Sequence, residues 1–184
     1  MAKQKNIFKD AEPIWKYIKG TGNWNTIIKP DDYDKWSVNL SGQEVEDLEV
    51  ELQAALDEAE KFAKSKGKNV EKVASPYAEY NGTKYIQFKK PKYDDDTEGP
   101  KLYNITGEEV TGQVKKDPGG GSTLRLRVMF KPYYMAATKT VGLSKKLLAV
   151  QIIDNKEYVG ASGFEDESGG AETPPFEVET TEDY

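Results

Sequence analysis

From residue 118 to residue 153 the chain carries no acid, while Arg125, Arg127, Lys131, Lys139, Lys145 and Lys146 supply cations. A second acid-free stretch, residues 81–93, holds Lys84, Lys89, Lys90 and Lys92. Rings lie among these bases: Tyr85, Phe88, Tyr93, Phe130, Tyr133 and Tyr134, with Trp15 and Tyr17 beside Lys16 and Lys19 near the start. A row of cations tracks the phosphates of a polyanion. Flat ring faces stack on unpaired bases without demanding a sequence, at about 1–3 kcal/mol per base. The pattern therefore points to an unpaired nucleic-acid strand as ligand. The phosphate candidates are Lys16, Lys19, Lys89, Lys90, Lys92, Arg125, Arg127 and Lys131; the stacking candidates are Trp15, Tyr17, Tyr85, Tyr133 and Tyr134. Phe88, Phe130 and Trp36 fall in phase with apolar neighbours and are expected in the core.

Other chemistry is poorly provided for. The chain has no Cys and no His, which removes thiolate nucleophiles, imidazole bases and His/Cys zinc sites. Asp31, Asp32 and Asp34, and the run Asp94, Asp95 and Asp96, lack the spacing of a calcium-binding loop and read as solvated loops. The segment Pro118-Gly-Gly-Gly-Ser-Thr lacks the Gly-Lys-[Ser/Thr] of a phosphate-binding loop and reads as a flexible strand connection. No enzyme, metal or cofactor is expected. The absence of Cys fits a reducing compartment; no apolar run suggests a membrane span, and residues 1–10 show no signal-peptide pattern.

Charge also divides the chain. Residues 164–184 hold eight of the 32 acids and no Lys or Arg, so residues 1–163 set 26 bases against 24 acids within a whole of −6. The expected organisation is one folded domain over residues 1–163 and a mobile acidic tail over residues 164–184. A slightly basic body tethered to such a tail suggests a polyanion binder that carries its own competitor. Phe176, Glu177, Glu179, Glu182, Asp183 and Tyr184 make a portable peptide. Its ring can fill a pocket while its carboxylates meet Lys or Arg around it.

Elements must position these groups. Residues 12–19 alternate as a strand, with Ile14 and Ile18 on one face and Trp15, Tyr17 and Lys19 on the other. Gly20-Thr-Gly22 reads as a turn and residues 25–29 as a second short strand; residues 35–40 alternate again. Ser41 and Glu44 have the spacing of a capping box, opening a helix that runs to about Lys66 and stops at Gly67. Its apolar stripe is Val45, Leu48, Leu52, Leu56, Ala59 and Phe62 or Ala63. Asn81-Gly82 predicts a type I′ hairpin turn within residues 77–90. Residues 102–105 and 109–114 are weak strands, and residues 124–131 and 147–153 stronger ones. Such a count predicts a mainly β, OB-like antiparallel barrel of five or more strands with one long helix inserted between strands. A β-sandwich carrying the helix is the alternative.

Three stretches, Ser122-Thr-Leu-Arg-Leu-Arg-Val128, Gly142-Leu-Ser-Lys-Lys-Leu-Leu-Ala-Val-Gln151 and Glu182-Asp183-Tyr184, together with the order of elements, resemble the single-stranded DNA-binding proteins of lytic tailed phages of the podophage type. The resemblance implies an OB-fold protein of phage DNA replication and recombination, cytoplasmic in the infected bacterial host. It implies that the protein coats exposed strands, can form a homodimer, and contacts the phage DNA polymerase and helicase/primase through the tail. Tyr184 would stand where Phe is usual. A sugar- or peptide-binding β-module using the rings as a platform remains the alternative, and would bind without regard to salt. A nucleic-acid enzyme working through the Asp clusters would instead need Mg²⁺.

Overall fold

A computed structural model describes residues 6–92 and 98–156. The tail, the boundary drawn at residue 163, and the Asp94–Asp96 run lie outside the described residues. The chain runs β1 (Ile14–Thr26), β2 (Lys35–Ser41), α1 (Gln43–Glu46), α2 (Glu49–Ser65), β3 (Lys72–Val73), β4 (Ala78–Tyr80), β5 (Thr83–Pro91), β6 (Lys101–Tyr103), β7 (Ser122–Met135) and β8 (Thr140–Asp154).

Five strands make a closed barrel in the order β7-β1-β2-β5-β8-β7. Four of these contacts are antiparallel; the barrel closes through a parallel contact between β5 and β8, with Lys89 opposite Lys146. The fold is thus the expected OB-like barrel, with a parallel seam that periodicity alone does not show. Alternation fills the interior: Ile18, Val38, Leu40, Ile86, Phe88, Leu124, Leu126, Val128 and Phe130 are all buried. Phe88 and Phe130 meet edge to face at 5.6 Å. Trp36 is buried as expected.

β1 is one 13-residue strand, not two strands around a turn. Its first part pairs with β7, and from Thr21 it pairs with β2 as well. The glycines do not reverse the chain; they remove side chains where strands crowd. A Cβ on Gly22 would stand 2.5 Å from Leu124 Cδ1 and 2.7 Å from Asn25 Oδ1, and one on Gly20 would collide with the Ser41 carbonyl.

The capping box does not form. Ser41 remains the last residue of β2, paired to Thr21 and Tyr85. Gly42, at φ 125°, turns the chain into α1 instead. Glu44 accepts the Lys19 N–H at 3.3 Å across the barrel mouth. The helix bends between α1 and α2, where Leu48 N–H reaches Val45 O at 3.3 Å. Tyr77 holds this bend by donating its hydroxyl to Val45 O at 2.6 Å. Burial, then Glu49, pushes that phenol up to about 12. Val45, Leu48, Leu52 and Leu56 plug one end of the barrel core, while Ala59 and Ala63 pack with Phe8 and Val141 in a second cluster. Phe62 lies at the edge of the stripe, 40% exposed. At the helix end Gly67 N–H bonds Lys64 O and Lys68 N–H bonds Ala63 O, the Schellman pattern expected of a glycine stop.

The Asn81-Gly82 turn joins β4 to β5, with both residues at positive φ (49° and 78°), as a type I′ turn requires. Residues 109–114 form no strand; only Glu109 bridges to Tyr103. The glycine-rich connection at 118–121 is tied down. Asn25 Nδ2 donates to Pro118 O at 3.0 Å, and Gly121 N–H bonds both Gly22 O and Asn23 Oδ1.

We expect Gly22→Ala to destabilise the barrel by about 1–3 kcal/mol, because β7 must shift to admit one methyl. A urea-unfolding midpoint lowered at unchanged slope would show this; an unchanged midpoint would mean that the two strands part at little cost.

Candidate functional site

Over residues 14–23 of β1 and 123–131 of β7, alternation places the odd-numbered residues on the outer wall; an irregular register between Asn23 and Thr26 ends the pattern, and Asn25 is buried. Trp15 lies opposite Met129, Tyr17 opposite Arg127, and Lys19 opposite Arg125. Trp15 and Tyr17 are 53% and 70% exposed, large areas for rings on a paired strand. The Arg127 guanidinium serves both, 5.7 Å from the Trp15 ring centre and 6.0 Å from that of Tyr17. Each ring is thus held by a cation on one side and open to solvent on the other.

The closing seam extends this surface. Met129, opposite Trp15 on β7, is also opposite Lys146 on β8, and Lys146 is opposite Lys89 on β5. Like charges facing each other across strands cost stability. Lys145 adds to the strain: burial, then the Lys89 charge, holds its ammonium below the usual lysine range. No ion pair relieves Lys19, Lys89, Arg125, Arg127 or Lys146 among the described residues. Their fields add over a wall whose neighbours are Ala149 and Gln151. An anion laid there would remove a repulsion as well as gain an attraction.

The remaining candidates are scattered. Lys16 shares the phase of Ile14 and Ile18, so it points to the helix side and pairs with Glu51 at 2.7 Å. Lys90 also turns away from the outer wall, lying over Trp36 and donating to Glu98 O at 2.6 Å. Lys92 is exposed beyond the end of β5, its N–H bonded to Asp34 O. Lys131 donates to Lys9 O at 3.2 Å. Tyr133 lies over Gly142, where any Cβ would strike its ring. Tyr134 donates its hydroxyl to Asn69 O at 2.7 Å and packs on the second apolar cluster. Tyr85 faces outward on β5, but its neighbour is Trp24, at 6.2 Å, rather than Trp15 or Tyr17.

The fold thus separates several residues that the sequence pattern groups together, and brings Lys146 beside Lys89 and Trp24 beside Tyr85. Lys146 carried a usable signal, the acid-free run, but its place beside Lys89 follows only from barrel closure. Trp24 was hidden by reading Gly20-Thr-Gly22 as a turn, which cut β1 short of it.

The backbone is similar to that of gp2.5, a single-stranded DNA-binding protein encoded by bacteriophage T7, with a TM-score of 0.64 and 18% identity over 88% of this chain and 96% of that one. It is also similar to the single-stranded DNA-binding protein of bacteriophage Enc34, with a TM-score of 0.53 and 16% identity over 91% of this chain and 94% of that one. The Enc34 protein in complex with single-stranded DNA gives a TM-score of 0.50 at 16% identity, over 85% and 95% of the two chains. No protein-family model and no curated protein matches the chain. At these identities the likeness is one of fold.

The ring–cation arrangement can be tested without any ligand. Arg127→Gln should reduce quenching of tryptophan emission by iodide, which the guanidinium attracts toward Trp15, by roughly a third or more, since local charge concentrates counter-ions. Quenching by neutral acrylamide should hold or rise. An equal fall with both quenchers would show that the substitution buries Trp15 instead.

Proposed function

We propose that this chain is a sequence-tolerant single-stranded DNA-binding protein of phage DNA replication and recombination, acting in the host cytoplasm and carrying no catalytic centre. The observation that carries this reading is Arg127 set between two exposed rings on the outer wall of the barrel. The likeness of the barrel to two phage proteins whose names state that they bind single-stranded DNA supports it.

In this reading the strand runs along β1. Trp15 and Tyr17 stack on bases through their open faces. Stacking uses the π-face that every base shares, so sequence matters little. Lys19, Arg125 and Arg127 meet phosphates beside the rings, and Lys146 and Lys89 extend the same cationic surface past β7, where an anion relieves the repulsion at the seam. Duplex DNA gains little here, because its bases are already stacked and its edges paired.

The acidic tail, residues 164–184, has the charge to occupy the same cations when DNA is absent. Once displaced, it would present Phe176, Glu177, Glu179, Glu182, Asp183 and Tyr184 to the phage polymerase and helicase/primase. Composition alone supports this part of the reading.

Oligo-dT should quench tryptophan emission. With roughly five phosphates contacted, the affinity should fall by roughly a hundredfold between about 50 and 200 mM NaCl, following the single-strand slope of about −0.7 per contact. Arg127→Ala should weaken binding and flatten that slope by about 0.7. Deleting residues 164–184 should tighten binding. Salt-independent binding would defeat the phosphate reading and favour an uncharged ligand such as a sugar; unchanged or weaker binding after the deletion would defeat the competition.

A further inference from the structure

At the far end of β1 from Trp15 the outer wall carries a second aromatic group, built on the β4–β5 hairpin. Trp24 and Tyr80 meet edge to face with ring centres 4.9 Å apart, and Tyr85 lies 6.2 Å from Trp24. With Asn23, Asn39 and Thr83 these rings line a notch of about 230 Å³. At about 30 Å³ per liquid water, that is room for roughly eight waters, or for one flat heterocycle, and too little for a folded peptide. Tyr80 is 48% exposed, on a strand whose three residues are all exposed. Packing of the core does not explain these rings.

Asn39 supplies a second and independent pointer. It lies on β2 between Asn23 on β1 and Gln87 on β5, in a row of amides on the outer wall. The residue is 7% exposed, yet its Oδ1 is sealed from solvent with no hydrogen-bond partner. Buried acceptors without donors are rare, because the water they lose is not replaced. Such an atom gains a partner when the Asn39 amide turns to present it to an N–H brought in through the notch that this residue lines. The same side chain has two amide hydrogens with which to answer an acceptor beside that donor.

We propose that this notch seats one unpaired nucleobase, flanked by Tyr80, Tyr85 and Trp24, with Asn39 reading its Watson–Crick edge. The inference rests on the single-strand reading and adds to it a specific anchor point. Every base carries an N–H on that edge. In thymine N3–H donates to Oδ1 while a neighbouring carbonyl accepts from Nδ2; in adenine and cytosine the amino group donates and the ring nitrogen accepts. Asn39 therefore tolerates sequence, but it cannot engage a base whose edge is taken by a complementary strand. Selection against duplex then comes from a hydrogen bond as well as from stacking. Thr21 and Lys19 lie on β1 between the notch and Trp15, so one strand laid along β1 reaches both.

Three tryptophans make the test specific: Trp36 is buried, so in a Trp15→Phe variant the half-buried Trp24, which lines the notch, is the reporter. Oligo-dT should still quench emission in that variant, and the same sequence as a duplex should not. In the same background Tyr80→Ala should weaken oligo-dT binding by roughly 5- to 100-fold, the worth of one stacked base. Asn39→Leu should weaken it by about two- to tenfold while raising the thermal midpoint, since an apolar group of similar size removes an unsatisfied acceptor. Quenching in the unmodified protein but not in Trp15→Phe would show that DNA binds elsewhere and leaves the notch empty. Asn39→Leu with undiminished affinity, or with a lowered midpoint, would equally overturn the proposal. Absence of any oligo-dT binding by the unmodified protein would instead overturn the single-strand reading on which it rests.

Discussion

A barrel must close, and here closure depends on one short parallel contact between β5 and β8 at Lys89 and Lys146. Without it the sheet would be an open ribbon, and Phe88 on β5 and Phe130 on β7 would have no common interior. With it the two strands become neighbours across a shared core, and α2 has a barrel end to plug. The same closure brings β5 lysines against β8 lysines. Core packing thus holds together cations that repel one another. The strain at Lys145 is the electrostatic counterpart of the apolar burial that closes the seam.

Two features of the outer wall follow from strand alternation. Once Ile18, Leu124, Leu126 and Val128 point inward, their neighbours Tyr17, Lys19, Arg125 and Arg127 must point out. The spacing that fills the core therefore also writes the surface. Lys16 obeys the same rule in the other sense: in phase with the core, it finds Glu51 on the helix rather than the wall. The charge of a residue does not decide its role; its parity on the strand does.

That rule explains how much was legible in sequence. Apolar alternation gave the main strands, the buried rings Phe88, Phe130 and Trp36, and the helix stripe. Asn81-Gly82 gave the hairpin and Gly67 the helix stop, because each depends on local backbone chemistry alone. Failures came where a long-range partner overruled a local signal. Ser41 has the chemistry of a cap but is already held as a strand residue by Thr21 and Tyr85. Gly20 and Gly22 look like a turn but serve close packing against Ser41 and Leu124. Tyr133 and Tyr134, among the basic residues in sequence, lie against Gly142 and Asn69 in the fold, away from Trp15 and Tyr17. Charge composition could mark the basic wall but not order it, since the neighbours of Lys89 and Arg127 are set by register.

The pairing of β1 with β7 has a consequence for how the molecule assembles. Ile14 faces Phe130, and Trp15 faces Met129, over a hundred positions apart in the chain. Pairs this distant close large loops before any contact rewards them, which slows folding. The β4–β5 hairpin, joined by two residues, can form within microseconds, but the cationic seam exists only after the last strands have met. An anion that recognises the seam therefore recognises the finished barrel and not its precursors, and its binding free energy adds to the native state alone.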